Sequence, residues 1–302
     1  MSVTPLPEPE APPRHDIPRC GRSGFAVVDG RQVHYLEWGH RGLPPVLGLH
    51  GGGQTAYMFE ELGASAGRRH HLLAPDLPNH GDSDPLRDTF GPGGIATTLR
   101  PLLDEFGMGR VVLVGASLGG LTGIRFGAEH PDRLAGLVLI DVGHRLEPEG
   151  VRKIVDFMRA HESFASLEEA AAEISEYLPQ RREVRPESLS RNLRQRPDGR
   201  WEWKHGFGKR FREAVRDDRH PADHLEQFLE GVEESSRRLR CPVLVLRGAT
   251  SDVLSAEGAE EVTAAIPDAR LATVERAGHL AAGDNPNSTT NLIIGFLDEL
   301  RW

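Results

Sequence analysis

The feature that most constrains this chain is a set of short apolar runs without polar alternation. They are Val46 to Leu49, Leu72 to Ala74, Val111 to Val114, Leu137 to Ile140, Val243 to Leu246 and Leu271 to Val274. A strand with one wet face alternates; several of these runs do not, as expected of strands covered on both faces. Helical patterns separate them, at Gly93 to Phe106, Leu118 to Glu129, Ala256 to Ile266 and Pro286 to Leu300. The alternation predicts an α/β fold, a mostly parallel central sheet with helices on both sides. Ahead of it, Phe25 to Val28 and Arg31 to Glu37 flank Asp29-Gly30, the signal of a β-hairpin.

The alternation breaks between about Gly143 and Arg240, where Gly150 to Ala160 and Leu167 to Leu178 read as helices and no buried strand is evident. The predicted organisation is a disordered N-terminal arm over 1–22, a core built from 23–142 and 241–302, and a helical cap over 143–240, inserted before the last two strands. Open α/β sheets bind ligands at the carboxyl ends of their strands, so the cap is expected over that edge. The arm, Met1 to Pro18, is rich in proline and has too little apolar surface to offset the entropy of ordering. It lacks a basic stretch followed by an apolar one, so it is not read as a secretory signal, and the default location is cytoplasmic. No run approaches the ~20 apolar residues of a membrane helix, so no membrane partner is expected. A net charge of -9 argues against a nucleic-acid partner. Cys20 and Cys241 lie far apart without metal-ligand spacing. A homodimer is compatible with the sequence.

Chemistry enters at Val111-Val-Leu-Val-Gly115-Ala116-Ser117-Leu118-Gly119-Gly120, where an apolar strand runs into a helix through G-x-S-x-G. The glycines leave room for a sharp turn that holds the serine in a strained conformation, and the helix N-terminus points N–H groups at developing negative charge. On these residues the chain resembles the α/β-hydrolase superfamily, in particular its capped esterases, lactonases and carbon–carbon bond hydrolases. The likeness covers nearly everything from Phe25 onward. Ala116 stands where many relatives have histidine. The resemblance implies an α/β-hydrolase fold and makes Ser117 the nucleophile.

It also implies the partners of Ser117. Val46-Leu-Gly-Leu-His50-Gly51-Gly52-Gly53-Gln54 follows the third strand, and the family's oxyanion hole falls on the N–H groups of Gly52 (or Gly53) and Leu118. His50 is assigned to orienting that loop. Asp76, Gly81 and Ser83 fit a second family loop beside the pocket, in which Pro78-Asn79 replaces the usual Arg-Gly pair. His80, Asp82 and Asp84 in that loop have no second ligand cluster, so no metal and no cofactor is expected. Val274-Glu-Arg-Ala-Gly278-His279 looks like the catalytic-histidine loop. The acid is expected after a strand. Asp252, in Arg247-Gly-Ala-Thr-Ser251-Asp252, is favoured over Asp141, which ends Leu137-Val-Leu-Ile-Asp141, and gives the chain order Ser117, Asp252, His279.

In the cap, Trp201, Trp203 and Phe207 are candidates to line a substrate pocket together with Gly53, with only one of Trp201 and Trp203 expected to face the site. From Leu178 to His220 basic residues outnumber acidic ones, which is read as a solvated surface. The function implied is cleavage of a small-molecule ester or lactone through an acyl-enzyme. A carbon–carbon bond hydrolase of a vinylogous diketone and a non-catalytic hydrolase-fold receptor are the alternatives.

Overall fold

The computed structural model describes residues 17–86, 91–179, 184–205 and 220–301. Among the described residues eleven strands and the helices between them alternate along the chain. The hairpin forms as expected. Strands β1 (Arg22–Val28) and β2 (Arg31–Trp38) pair antiparallel. Asp29 and Gly30 between them both take positive φ, 48° and 71°, the two-residue turn whose twist matches the strands. The next strands are β3 (Pro45–Leu49), β4 (His71–Pro75), β5 (Val111–Ala116) and β6 (Leu134–Ile140). Three short strands follow, β7 (Ser163–Phe164), β8 (Leu193–Gln195) and β9 (Trp201–Trp203), then β10 (Val243–Gly248) and β11 (Ala269–Val274).

The main sheet has eight strands in the order β1-β2-β4-β3-β5-β6-β10-β11. It is parallel from β4 to β11, and β2 runs antiparallel to β4. The unalternating runs are explained by two buried faces. Leu47, Leu113, Leu139 and Val245 belong to one core, and Val46, Val112, Ile140 and Leu246 to the other. Helices α1 (Glu60–Ala66) and Pro286–Glu299 contribute Leu62, Ala66, Ile293 and Phe296 to the second core. On the opposite face lie α2 (Pro92–Ala96), α3 (Leu99–Glu105), α4 (Leu118–Glu129) and the helix Ala256–Ala265.

Two expectations change in detail. The single helix expected over Gly93 to Phe106 is divided between α2 and α3. At the break Thr97 and Thr98 turn their hydroxyls back on the carbonyls of Gly94 and Ile95, and Pro101 brings no N–H to continue the ladder. The segment between β6 and β10 is not purely helical. It contains α5 (Pro148–Ala160) and α6 (Leu167–Tyr177), but also the antiparallel sheet β7-β9-β8. Strands of two or three residues are too short to leave a periodic signature. Among the described residues no helix is long and apolar enough to cross a membrane.

Candidate active site

Ser117 sits between the end of β5 and the start of α4 with φ 46° and ψ −117°. A serine is held in this disfavoured region only when its surroundings determine the turn. The neighbouring glycines make that turn sterically possible. A Cβ on Gly115 would lie 2.6 Å from the carbonyl oxygen of Gly119, and one on Gly119 would collide with the carbonyl of Leu49. The Ser117 N–H donates to Ile140 O at 3.2 Å, tying the turn to β6. The N–H of Leu118 opens α4, where amides have no acceptor within the helix.

The loop after β3 closes over this turn. Gly51, Gly52 and Gly53 line the same cavity as Ser117, and a Cβ on Gly51 would lie 3.3 Å from Ser117 Cβ. The Gly51 N–H donates to Gln54 Oε1 at 3.0 Å, so Gly52 and Gly53 are the loop amides outside that turn contact. His50 is wholly buried. Its Nε2 accepts the Leu77 N–H at 2.9 Å, which leaves the proton on Nδ1 to donate to Gly51 O at 2.8 Å. Burial pushes its pKa down and favours this neutral, loop-orienting form.

His279 lines the cavity with Ser117. Its Nδ1–H donates to Asp141 Oδ2 at 2.8 Å, which leaves Nε2 as the nitrogen able to take a proton. Asp141 is fully buried at the end of β6. Its Oδ2 also accepts the Ser251 hydroxyl at 2.6 Å, and its Oδ1 accepts the Gly248 N–H at 2.9 Å. The histidine loop is pressed against β10: a Cβ on Gly248 would collide with the carbonyl of Gly278, and the Thr250 N–H donates to Ala277 O at 2.9 Å.

The expected pairing of Asp252 with His279 is therefore corrected. Its carboxylate is paired with Lys153 Nζ of α5 at 3.0 Å, and both side chains are 53% exposed. Asp141, which ends the preceding strand, holds His279 instead. The tight loop after β10 turns the hydroxyl of Ser251 onto Asp141 and leaves the next side chain, Asp252, at the cavity wall beside Lys153. The visible clue was a carboxylate following an unbroken apolar strand, where burial demands partners.

Trp203 lines the cavity and Trp201 does not. Two residues apart on β9 they share a face, and both pack on the cluster of Phe164, Ala170 and Leu193. Trp203 is the one that reaches further, with its indole N–H donating to His161 O at 2.7 Å. Phe207 lies outside the described residues. Sequence reasoning also missed Lys153 and His205, both of which line the cavity from the inserted segment.

Among the described residues His34, Asp76 and Asp82 come close enough to share a cation. Their atoms are engaged in bracing the loop after β4: Asp76 accepts from His34 Nδ1 at 2.7 Å, from Ala56 N at 2.7 Å and from Asp82 N at 3.0 Å. The hairpin, the Asp76 loop and the oxyanion-type loop are thus locked together.

Comparison with known proteins agrees with this architecture. The chain is 29% identical over 283 residues to esterase Rv0045c of Mycobacterium tuberculosis, covering 90% of this chain and 88% of the relative. It is 26% identical over 287 residues to the 2-hydroxy-6-oxo-6-phenylhexa-2,4-dienoate hydrolase of Comamonas testosteroni, covering 88% and 91%. The crystal structure of an alpha/beta hydrolase from Novosphingobium aromaticivorans superposes with a TM-score of 0.76 at 28% identity, covering 92% of this chain and 98% of that one. The model of the alpha/beta hydrolase family matches residues 46–290, and the chain belongs to that family.

Proposed function

We propose that this chain is a serine hydrolase that cleaves a carboxylic ester or lactone through an acyl-enzyme, with Ser117, His279 and Asp141 as its triad. The observation that carries the reading is a histidine held by a buried carboxylate in the cavity that also contains a strained elbow serine. In this mechanism His279 Nε2 takes the Ser117 proton as the hydroxyl oxygen attacks the carbonyl carbon. Asp141 fixes the histidine tautomer and stabilises the imidazolium. The N–H groups of Gly52 and Leu118 hold the oxyanion. His279 then gives the proton to the leaving oxygen. A water attacks the acyl-enzyme with the same histidine as base, and Ser117 is restored. The similarity to an esterase over nearly the full length of both chains supports this reading.

The cavity suits a large apolar substrate. Its volume is about 890 Å³, and Leu121, Ile154, Met158, Ile174 and Phe228 are among the side chains around it. That is the upper part of the usual range for small-molecule sites. The inserted segment between β6 and β10 acts as a cap that supplies most of this wall. Carbon–carbon cleavage is the second reading, supported by the likeness to the Comamonas testosteroni hydrolase over 91% of its length.

The test is a rate series on p-nitrophenyl esters of rising acyl length, alongside a vinylogous diketone. The expected result is turnover that favours acyl chains longer than acetyl and falls by at least ~10³-fold in Ser117→Ala. Turnover of the diketone alone would favour the second reading. Ester turnover retained by folded Ser117→Ala would exclude this mechanism.

A further inference from the structure

Among the described cavity residues that the mechanism does not use, His205 stands apart. His205 follows β9 and lines the cavity. Among the described residues neither Nδ1 nor Nε2 of its ring has a hydrogen-bond partner, although both atoms are shielded from solvent. Buried polar atoms are almost always satisfied, and those that are not call for an explanation. The ring stacks on Trp203 at 5.5 Å between centroids, and its backbone bridges to His80. Its orientation is therefore set by packing rather than by hydrogen bonding. Its Nε2 is 3.4 Å from the point where a Cβ on Gly53 would lie, so it hangs over the loop that carries Gly52. The Met158 methyl lies closer still to that point. An unbranched thioether repacks readily, so Met158 is a cover that a ligand can displace.

Burial, with a further push from His50, lowers the His205 pKa to about 4. At neutral pH the ring is uncharged and has one donor and one acceptor nitrogen. That chemistry fits a neutral oxygen group better than a carboxylate.

We infer that His205 is a substrate-positioning residue that hydrogen-bonds a second neutral oxygen, a keto or hydroxyl group on the acyl chain close to the scissile carbonyl. The inference rests on the ester-hydrolase reading for the identity of the scissile bond. Its substrate class is an oxo- or hydroxyacyl ester rather than a plain alkanoyl ester.

The test measures binding, so that it does not depend on turnover. Ethyl hexanoate and ethyl 3-oxohexanoate are titrated calorimetrically into Ser117→Ala protein, with and without His205→Phe, which keeps a ring against Trp203. The 3-oxo ester is expected to bind roughly 5- to 10-fold more tightly than the plain ester, the worth of one net hydrogen bond. His205→Phe should abolish that contrast while leaving plain-ester binding within about 2-fold, since it removes only that hydrogen bond. His205→Gln, which keeps a donor and an acceptor, should restore part of the contrast. If His205→Phe does not fold, His205→Leu is read by the same contrast. Absence of the contrast, its survival in the variant, or failure of both esters to bind each overturns the inference. If the contrast behaves as expected in Ser117→Ala but the native protein hydrolyses neither ester, ester hydrolysis is overturned and the role of His205 is not.

Discussion

Replacing Asp141 by asparagine keeps the size of the side chain but breaks its hydrogen bonding. Three donors converge on the two carboxylate oxygens: the Gly248 N–H on Oδ1, and the Ser251 hydroxyl and His279 Nδ1–H on Oδ2. Asparagine has one acceptor oxygen and one NH₂ group. If the NH₂ takes the Oδ2 position, it must donate to His279 Nδ1, which forces the ring proton onto Nε2. That tautomer cannot accept the Ser117 proton. If the NH₂ takes the Oδ1 position, it faces the Gly248 N–H and leaves a buried donor unsatisfied, at a cost of about 1–3 kcal/mol. The first arrangement keeps the fixed Gly248 N–H bonded and deprives only the rotatable Ser251 hydroxyl of its acceptor, so the inactive tautomer prevails. The equivalent change in a serine protease costs ~10⁴ in kcat, or about 5 kcal/mol of transition-state stabilisation. We predict a loss of that order in Asp141→Asn, measured as kcat on the best p-nitrophenyl ester with folding checked by circular dichroism. Asp252→Asn removes only a solvent-screened pair with Lys153, so its kcat should stay within roughly 3-fold of the parent. A crippled Asp252→Asn beside an active Asp141→Asn would refute this reasoning.

Three other perturbations follow from named contacts. Burial raises the Glu37 pKa, but hydrogen bonds from His71 and Arg22 outweigh it and bring it down to about 2 from an ordinary 4.5. The resulting stabilisation, about 3 kcal/mol, is present above pH ~4.5 and lost as pH falls toward ~2. Urea unfolding at pH 6 and pH 3 should therefore show a smaller acid loss in Glu37→Gln than in the parent; an equal loss would contradict this. Gly119→Ala would drive a methyl group into the backbone carbonyls of Leu49 and His50. It should lower stability by about 1–3 kcal/mol and reduce kcat by displacing the elbow, and an unchanged Tm would show that the turn has slack. Trp203→Ala should change the ranking of acyl lengths, whereas Trp201→Ala should lower Tm with the ranking preserved. Identical effects on the ranking would remove the distinction between a cavity-lining and a packing tryptophan.

The sheet was legible because a strand buried on two faces announces itself as an unbroken apolar run, and β3, β5, β6 and β10 all do so. The elbow was legible because only a chain with glycine at 115 and 119 can make that turn. The acid was not, because two carboxylates follow apolar strands and the sequence does not say which way a loop turns its side chains. Ser251 and Asp252 are adjacent, and a single residue of phase decides which one turns in to Asp141. The small sheet β7-β9-β8 was hidden by its length, and the burial of His205 by its dependence on Trp203 and His80, which only the fold brings together.

The central claim is that Ser117 is an activated nucleophile. It is tested most directly by exposing the native protein to a fluorophosphonate and locating the adduct by peptide mass spectrometry. The account predicts one adduct per chain on Ser117, formed within minutes, absent in Ser117→Ala and slowed strongly in Asp141→Asn. No adduct, or an adduct that forms equally fast in Ser117→Ala, would contradict it.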